Sequence, residues 1–198
     1  MGRVSRAQAQ ENRQRVVATA SRMFREKGTA VSVADLMKTI GLTHGGFYKQ
    51  FASKDDLVDE AIAHAFADQG AHQAADGTDE SAEEHEAVRQ KMIEDYLSIW
   101  HRDHPGEGCP VSGFAADLGR EPDQAARSRD LYINGVRNRA ARLATGDDDG
   151  MAQLCTLVGA LALARATRGN PISEEVLRAA LTALTENTNG QSEAQGTD

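Results

Sequence analysis

Cysteine, proline and aromatic residues are all scarce in this chain. Among 198 residues there are 2 cysteines, 4 prolines and 5% aromatic side chains. Two cysteines make a poor disulfide framework, and a reducing compartment is the simpler interpretation. Because prolines are few and glycines lie mostly between long Ala- and Leu-rich periodic segments, the composition favours an all-α fold.

Long hydrophobic runs are missing as well. No stretch approaches the roughly 18 uninterrupted apolar residues that a membrane-spanning helix requires. The N-terminal segment MGRVSRAQAQENRQ carries basic residues but lacks the apolar core of a secretory signal. We therefore expect a cytoplasmic protein that has no membrane partner.

Charge is distributed unevenly along the chain. The formal net charge of −8 taken alone argues against nucleic acid as a partner. Residues 1–54, however, contain ten Lys or Arg and three Asp or Glu, a net charge of +7, whereas residues 55–198 contain twelve and twenty-seven, a net charge of −15. This asymmetry predicts a basic, DNA-facing segment on an acidic body, although a basic surface without a partner accounts for it equally well.

A short helix, a tight turn and a second helix are predicted within Val33–Phe51. Ser32 fits the N-cap of the first helix, Gly41 ends it, and Thr43 fits the N-cap of the second helix, HGGFYKQF. The apolar residues spaced to meet in the angle between the two helices are Leu36, Ile40, Leu42 and Phe47. This arrangement is typical of a helix-turn-helix, whose second helix enters the major groove of DNA.

The second helix of this motif contains two adjacent glycines, Gly45 and Gly46. In a helix interior each costs about 1 kcal/mol relative to alanine, so stability alone does not account for them. We interpret them as allowing the start of the helix to approach DNA closely. Tyr48 and Lys49 then project outward toward phosphates, and Lys54 adds a cation at the start of the next helix.

The segment from Val16 to Leu57 contains the string VSVADLMKTIGLTHGGFYKQFASKDDL after a helix that ends in FREKG. In these residues it resembles the DNA-binding region of the TetR family of regulators. The residues that the resemblance implies at the phosphates or in the groove of DNA are Ser32, Thr43, His44, Gly45, Tyr48, Lys49 and Lys54. His44 stands where the family often has arginine, so we expect base recognition to differ there.

The same resemblance implies an architecture for the whole chain. We predict an all-α protein of about nine helices, with a three-helix helix-turn-helix domain over residues 1–52 and a helical effector-binding and dimerisation domain over residues 53–186. Residues 187–198 are expected to be a disordered tail. The implied homodimer uses the last two long helices, about Asp148–Arg168 and Ser173–Thr185, although their Ala/Leu faces would also suit a monomer core.

Candidate effector residues lie in the body of the chain. Cys109, between a glycine and a proline at the start of a predicted short helix, is a candidate sensor of thiol-reactive electrophiles or oxidants, because a helix N-terminus lowers the pKa of a thiol. The alternative is a small buried residue at a tight turn. The resemblance favours the sensor, since several TetR-family relatives use a cysteine in a similar Gly-Cys setting. The residues that would line an apolar effector pocket, or simply fill the core, are Met92, Tyr96, Trp100 and Phe114.

Other interpretations of the same residues stay open. His101, His104 and Cys109 have spacing that suits a metal, but a fourth ligand is not evident. The same three residues would supply a nucleophile and a base in a helical enzyme, but no oxyanion hole or orienting group is recognisable. A dimeric adaptor that does not bind DNA is a third possibility. Cys155, beside Leu154 on an apolar helix, is expected to be a packed core thiol.

The favoured prediction is a non-enzymatic transcriptional regulator without a metal or cofactor. As a homodimer it would bind a pseudo-palindromic operator in double-stranded DNA. A small-molecule effector, or modification of Cys109, would release the DNA. Repression rather than activation is implied by the family resemblance.

Overall fold

The structure is a computed structural model that describes residues 6–74, 82–120, 126–146 and 148–194. Over these residues it contains α-helices, one 3₁₀ turn at Pro105–Glu107 and no β-strand, which confirms the predicted all-α fold. The helices are α1 (Arg6–Lys27), α2 (Val33–Thr39), α3 (His44–Phe47), α4 (Lys54–Ala74), α5 (Ala82–Tyr96), α6 (Ile99–Asp103), α7 (Pro110–Leu118), α8 (Ala126–Ala141), α9 (Met151–Ala166) and α10 (Ile172–Ala194). In this described part of the chain, no helix is both long and apolar enough to cross a membrane.

The chain divides into two compact units. The first unit comprises the described residues of 1–76 and 105–135, and the second comprises those of 77–104 and 136–198. Helix α8 contributes to both units, because the division falls after Gly135. The boundary predicted at residue 52 concerns the DNA-binding function and stays a prediction.

The core of the first unit forms around α1, which packs against α2, α4 and α7. Helix α1 ends at Gly28, which has φ +83° and whose N–H bonds to the carbonyl oxygen of Phe24 over 2.9 Å. Glycine suits this left-handed position because it has no Cβ. Large side chains buried in this core are Phe24, Leu36, Met37, Phe47, Phe51, Leu57, Ile62 and Phe114.

The second unit is built on the pair α9 and α10, which pack along each other, with α5 against both and α6 against α9. Its buried apolar residues recur at helical spacing, as expected for helices that bury one stripe. They include Ile93, Leu97, Leu143, Leu154, Leu157, Leu161 and Leu177. Gly169, with φ +89°, lies in the turn between α9 and α10, as its position before Pro171 predicts.

One long helix predicted over Ala87–His101 is two helices in the structure, α5 and α6. Ser98 separates them: its hydroxyl donates to the carbonyl oxygen of Asp95 over 2.7 Å and accepts from the N–H of His101 over 3.1 Å. A serine whose hydroxyl bonds both to the last turn of one helix and to the first turn of the next favours such a break. This division and the 3₁₀ turn are why the described chain has more helical segments than the predicted count.

The C-terminal helix is longer than predicted. Helix α10 extends to Ala194, whereas the chain was expected to be disordered after Glu186. No proline interrupts the sequence after Pro171, so nothing sterically stops the helix at residue 186. Residues 195–198, the end of the predicted tail, lie outside the described residues.

Candidate nucleic-acid interface and the Cys109 region

The predicted cap of α2 is present. The side-chain oxygen of Ser32 accepts a hydrogen bond from the backbone N–H of Asp35 over 3.1 Å, and its hydroxyl donates to the Asp35 carboxylate over 2.6 Å. The capping residue therefore also places a carboxylate in the first turn, where the helix dipole favours it. Ser32 is exposed, as a phosphate-contacting residue has to be.

The turn after α2 is a Schellman motif centred on Gly41. This glycine has φ +71°, its N–H bonds to the carbonyl oxygen of Lys38 over 3.1 Å, and the N–H of Leu42 bonds to the carbonyl oxygen of Met37 over 2.9 Å. Leu42 then packs against the core cluster that contains Met37, which completes the hydrophobic contact of the motif. The predicted end of the helix at Gly41 is confirmed, and the turn fixes the direction in which α3 leaves.

Helix α3 is shorter than the predicted HGGFYKQF segment. It spans only His44–Phe47, and a turn follows in which the N–H of Phe51 bonds to the carbonyl oxygen of Phe47 over 3.0 Å. Thr43 occupies the N-cap position but makes no capping bond with its side chain, so the predicted cap is wrong in that detail. Two glycines in four residues are too weak a helix former to extend it further.

Phe47 anchors α3 and orients its outer face. Its side chain is completely buried, and its ring stacks on that of Phe51 at 5.2 Å between centroids. Tyr48 sets its ring edge-to-face against Phe47 at 5.1 Å and against His44 at 5.4 Å, and it is 60% exposed. The predicted DNA-facing residues that are exposed on this face are Thr43, His44, Gly45, Tyr48 and Lys49.

Neither glycine of α3 is required by the packing of the described chain. A Cβ at Gly45 would meet nothing within 4 Å. A Cβ at Gly46 would lie 3.5 Å from Oγ1 of Thr43 and 3.7 Å from Cε of Met37, which is ordinary contact. Neither glycine has positive φ. Packing within the described residues therefore does not account for either glycine.

Lys54 is the first residue of α4, directly beyond this face. The serine ahead of it in sequence, Ser53, fits an N-cap, and its hydroxyl oxygen accepts from the N–H of Asp56 over 3.0 Å. Some other basic residues of the N-terminal segment are occupied within the chain: Arg13 pairs with Glu60, and its guanidinium carbon lies 4.7 Å from the centroid of the Phe51 ring. The net charge of +7 over residues 1–54 therefore overstates the positive charge that a partner can reach.

Cys109 is the N-cap of α7 and is followed by Pro110 in the first turn, which confirms its predicted place at a helix start. It is only 3% exposed. Its carbonyl oxygen accepts from the N–H of Gly113 over 3.0 Å and from the hydroxyl of Ser112 over 3.0 Å. The thiol thus belongs to the packed start of a helix, and a reagent reaches it only when that start opens.

The segment around Cys109 packs on the last turns of α1. Nη1 of Arg25 donates to the carbonyl oxygen of Gly108 over 2.6 Å. A Cβ at Gly106 would lie 2.7 Å from Cγ of Arg22, and one at Gly113 would lie 2.7 Å from Cγ of Arg25. Glycine at these positions allows the close approach. Burial lowers the pKa of Arg25, and the charges of Asp68, Cys109 and Glu107 oppose that shift.

Tyr132 of α8 contacts the same start of α7. Its hydroxyl donates to the carbonyl oxygen of Val111 over 2.8 Å. Burial, followed by the nearby charge of Cys109, raises the pKa of Tyr132 to about 12. Sequence reasoning missed Arg25 and Tyr132 as neighbours of Cys109, because no local pattern signals contacts over such separations along the chain.

The residues predicted to line an apolar effector pocket fall in different units. Phe114 belongs to the core of the first unit, whereas Met92, Tyr96 and Trp100 belong to the second. Trp100 is 53% exposed and stacks on His104 at 4.6 Å, so it does not fill the core, and its role in an effector pocket stays a prediction. The end of α5 at Tyr96 changes the helical phase on which that prediction depended.

The other candidate ligand residues are bonded to backbone. Nδ1 of His101 lies 2.7 Å from the carbonyl oxygen of Tyr96, and Nδ1 of His104 lies 2.8 Å from that of Trp100. No group of three metal-ligating side chains occurs among the described residues. Cys155 is exposed on α9, so its predicted core position is wrong; Leu154 and Leu157 form the buried face of that helix.

Comparisons with known proteins identify the N-terminal region first. Residues 16–61 match the family model described as bacterial regulatory proteins, tetR family. The HTH-type transcriptional regulator AcrR of Shigella flexneri is 36% identical over 61 residues, which are 30% of this chain and 28% of AcrR. The sequence similarity to this relative thus spans less than a third of its length.

Solved structures extend the likeness to the whole fold. A TetR transcriptional regulator from Chloroflexus aurantiacus, 22% identical, covers 90% of this chain and 94% of its own with a TM-score of 0.66. The reduced form of NemR from Escherichia coli, 16% identical, covers 89% of this chain and 97% of its own with a TM-score of 0.69. At these identities the likeness shows the fold alone. Residues 16–61 thus match the tetR family model, and the fold of the chain is similar to that of these solved regulators.

Proposed function

We propose that the chain is a transcriptional repressor that binds a pseudo-palindromic operator as a homodimer in the cytoplasm. The observation that carries this proposal is the outer face of α3. Five predicted DNA-facing residues are exposed on α3 and directly beside it, while Phe47 of this helix is completely buried, and Gly45 leaves open space that no part of the described chain fills. A rigid inner anchor with a polar, uncrowded outer face is what a helix needs to enter a major groove.

The side chains around this face are proposed to contact either the bases or the phosphates of DNA. His44 is exposed in the first turn of α3, and its imidazole is a candidate for base contact. Lys49 and Lys54 supply cations for phosphate, Tyr48 and Ser32 supply hydroxyls, and Thr43 contacts the backbone or groove. Phosphate contacts fix the position on the duplex, whereas base contacts give specificity.

The homodimer is proposed to form through α9 and α10. Outward-facing apolar side chains on and beside this pair include Leu163, 58% exposed, and Ile172, 47% exposed. The small residues Ala179 and Ala183 are exposed along a shallow groove on α10. Exposed apolar and small residues on paired helices suit packing against a second copy of the same pair.

Release of DNA is proposed to follow an effector or modification of Cys109. An α,β-unsaturated carbonyl would add to the thiol: sulfur bonds to the β-carbon, the thiol proton ends on the α-carbon, and nothing leaves. Because Cys109 is 3% exposed, the adduct cannot occupy the packed start of α7. Its bulk would displace residues 108–109 from Arg25, and so disturb α1, against which α2 packs.

A gel-shift assay tests the regulator against an enzyme or an adaptor. Duplexes from the DNA upstream of the chain's own gene are titrated with wild type, the double variant Lys49→Ala/Lys54→Ala, and Lys91→Ala. Lys91 is an exposed lysine of the second unit and serves as the matched control. We expect a shift that the double variant loses and Lys91→Ala keeps. If no duplex shifts at low salt, the proposal is wrong.

A further inference from the structure

The second unit contains three buried arginines, Arg89, Arg102 and Arg139, which are 3%, 8% and 6% exposed. Two of them hold a carboxylate with the Nε and Nη2 fork. Arg89 bonds to Glu86 over 2.8 and 2.7 Å, and Arg102 bonds to Asp103 over 2.9 and 2.9 Å. Buried guanidinium groups in this unit are thus stabilised by planar, two-point pairing with a carboxylate.

Arg139 differs from the other two. Its Nε and Nη1 atoms are buried and have no hydrogen-bond partner, and no carboxylate in the described part of the chain pairs with it. Its guanidinium carbon lies 5.6 Å from the centroid of the Tyr96 ring. A guanidinium keeps its charge at any physiological pH. Within the described residues, Arg139 is therefore a buried cation beside an aromatic ring with no carboxylate paired to it.

Such a group is costly for a folded protein to keep. An unpaired buried charge and two unsatisfied N–H groups both oppose folding, and native structures rarely retain them without a use. The cation–π contact with Tyr96 compensates for part of the charge but supplies neither hydrogen bond. A bound carboxylate would supply the missing negative charge and would accept from one of these two N–H groups.

We propose that Arg139 anchors an effector site for a small organic carboxylate whose apolar body lies near the Tyr96 ring. The Nε–H and Nη1–H donors of Arg139 belong to the two forks that a guanidinium presents, and either fork suits a carboxylate. Glu86 and Asp103 occupy the Nε/Nη2 fork of their arginines in this same unit. The proposal rests on the proposed function, because a DNA-binding regulator is what gives such a site its role.

Helix α8 connects this site to the first unit. Arg139 lies in its last turn, and residues 126–135 at its start belong to the unit that contains α1 to α4. At Gly135 a Cβ would overlap the Phe66 ring of α4, so α8 and α4 are in close contact there. Helix α4 begins at Lys54, which is a proposed phosphate contact. An anion that moves the end of α8 therefore acts on an element joined to the DNA-binding face.

Thermal unfolding and calorimetric titration test the site with defined probes. Benzoate and hexanoate are the carboxylates, benzamide and hexanamide are their neutral counterparts, and inorganic phosphate is a different anion. The variants are Arg139→Met, which keeps the length of the stem, and Arg137→Met, a matched control at an exposed arginine of the same helix. We expect a carboxylate to raise the Tm of wild type and of Arg137→Met, and the amides to leave it unchanged.

Arg139→Met should weaken carboxylate binding about tenfold or more, which is the effect of losing a charge-assisted hydrogen bond. Without any probe, its Tm should equal or exceed that of wild type, because a buried unpaired charge is gone. A purely structural arginine would instead give a lower Tm. The proposal is overturned if neither carboxylate shifts wild type, if the amides or phosphate bind as well, or if Arg139→Met binds as wild type does.

Operator binding is measured separately by fluorescence anisotropy. Carboxylate-dependent loss of operator affinity in wild type, absent in Arg139→Met, supports the effector role. If DNA is bound but carboxylate binding leaves its affinity unchanged, the effector role is overturned while the proposed function stands. If carboxylate binds through Arg139 but no duplex is bound, the proposed function fails and the anion site stands.

Discussion

Nη1 of Arg25 donates a hydrogen bond of 2.6 Å to the carbonyl oxygen of Gly108, the residue before Cys109. The bond joins the last turns of α1 to the start of α7 within the first unit. Burial lowers the pKa of Arg25, and the nearby charges of Asp68, Cys109 and Glu107 oppose that effect. This contact is the physical basis for expecting that chemistry at Cys109 alters the helices that hold the DNA-binding face.

Alkylation of Cys109 should therefore weaken operator binding. Because Cys155 is exposed, the test uses a Cys155→Ser background in which N-ethylmaleimide has one target. We expect operator affinity to fall about tenfold or more after alkylation. This is the effect of losing one hydrogen bond from a charged group, here the bond from Arg25 to Gly108. The matched variant that also carries Cys109→Ser should not respond. An equal response in both proteins would remove Cys109 as the sensor.

Gly45→Ala should separate stability from DNA binding. The added methyl meets nothing within 4 Å, and alanine is the better helix former by about 1 kcal/mol, so the free energy of unfolding should rise. Operator affinity should fall about tenfold or more, because the methyl lies between α3 and the groove. Gly70→Ala on α4, where a Cβ also meets nothing within 4 Å, is the control that should leave DNA binding unchanged. Unchanged affinity in Gly45→Ala would contradict the close approach.

Gly41→Ala should have the opposite effect on stability. Gly41 has φ +71° in the Schellman turn, and a Cβ in the left-handed region costs about 1–2 kcal/mol. Denaturant unfolding should show a loss of that size, even though a Cβ at this position would meet no atom within 4 Å. A loss below a few tenths of a kcal/mol would mean that the turn relaxes to another conformation.

Tyr132 should titrate above the usual range of tyrosine. Burial raises its pKa to about 12 from a reference value of 10.0. Since the folded pKa is the higher one, the contribution of Tyr132 to stability is complete below pH 10 and is lost as the pH rises from about 10 to about 12. Absorbance at the tyrosinate band should show a late-titrating step in the folded protein, and Tyr132→Phe should reduce its amplitude by one tyrosine. A late step of unchanged amplitude in the variant would assign it to another residue.

Local chemistry was predictable from the sequence, and long-range chemistry was not. Ser32, Gly41 and Cys109 take the predicted cap, turn and helix-start positions, because each acts through backbone atoms a few residues away. The helix-turn-helix depends on the same short-range spacing. The hydrogen bond from Arg25 to Gly108 joins residues 83 positions apart, and no periodicity encodes it.

The predictions that differ from the structure concern residues whose burial depends on which face of a helix they occupy. Trp100 was assigned to an apolar face on the assumption that one helix continued past Ser98, and the break at that serine leaves it exposed. Cys155 is next to the buried Leu154 in sequence but one step away around the helix. Arg139 carries no sequence signal, because only the folded structure shows that it is buried. Among the described residues no carboxylate pairs with it, whereas Arg89 and Arg102 each have one.

The salt dependence of operator binding tests the central claim most directly. Each phosphate that the protein neutralises contributes about −0.9 to the slope of log affinity against log salt concentration. Lys49→Ala and Lys54→Ala should each weaken binding to all sequences and each reduce the magnitude of that slope by about 1, while Lys91→Ala should leave both unchanged. Binding that is absent at low salt, or a slope that neither lysine affects, would contradict a DNA-binding face built on α3 and the start of α4.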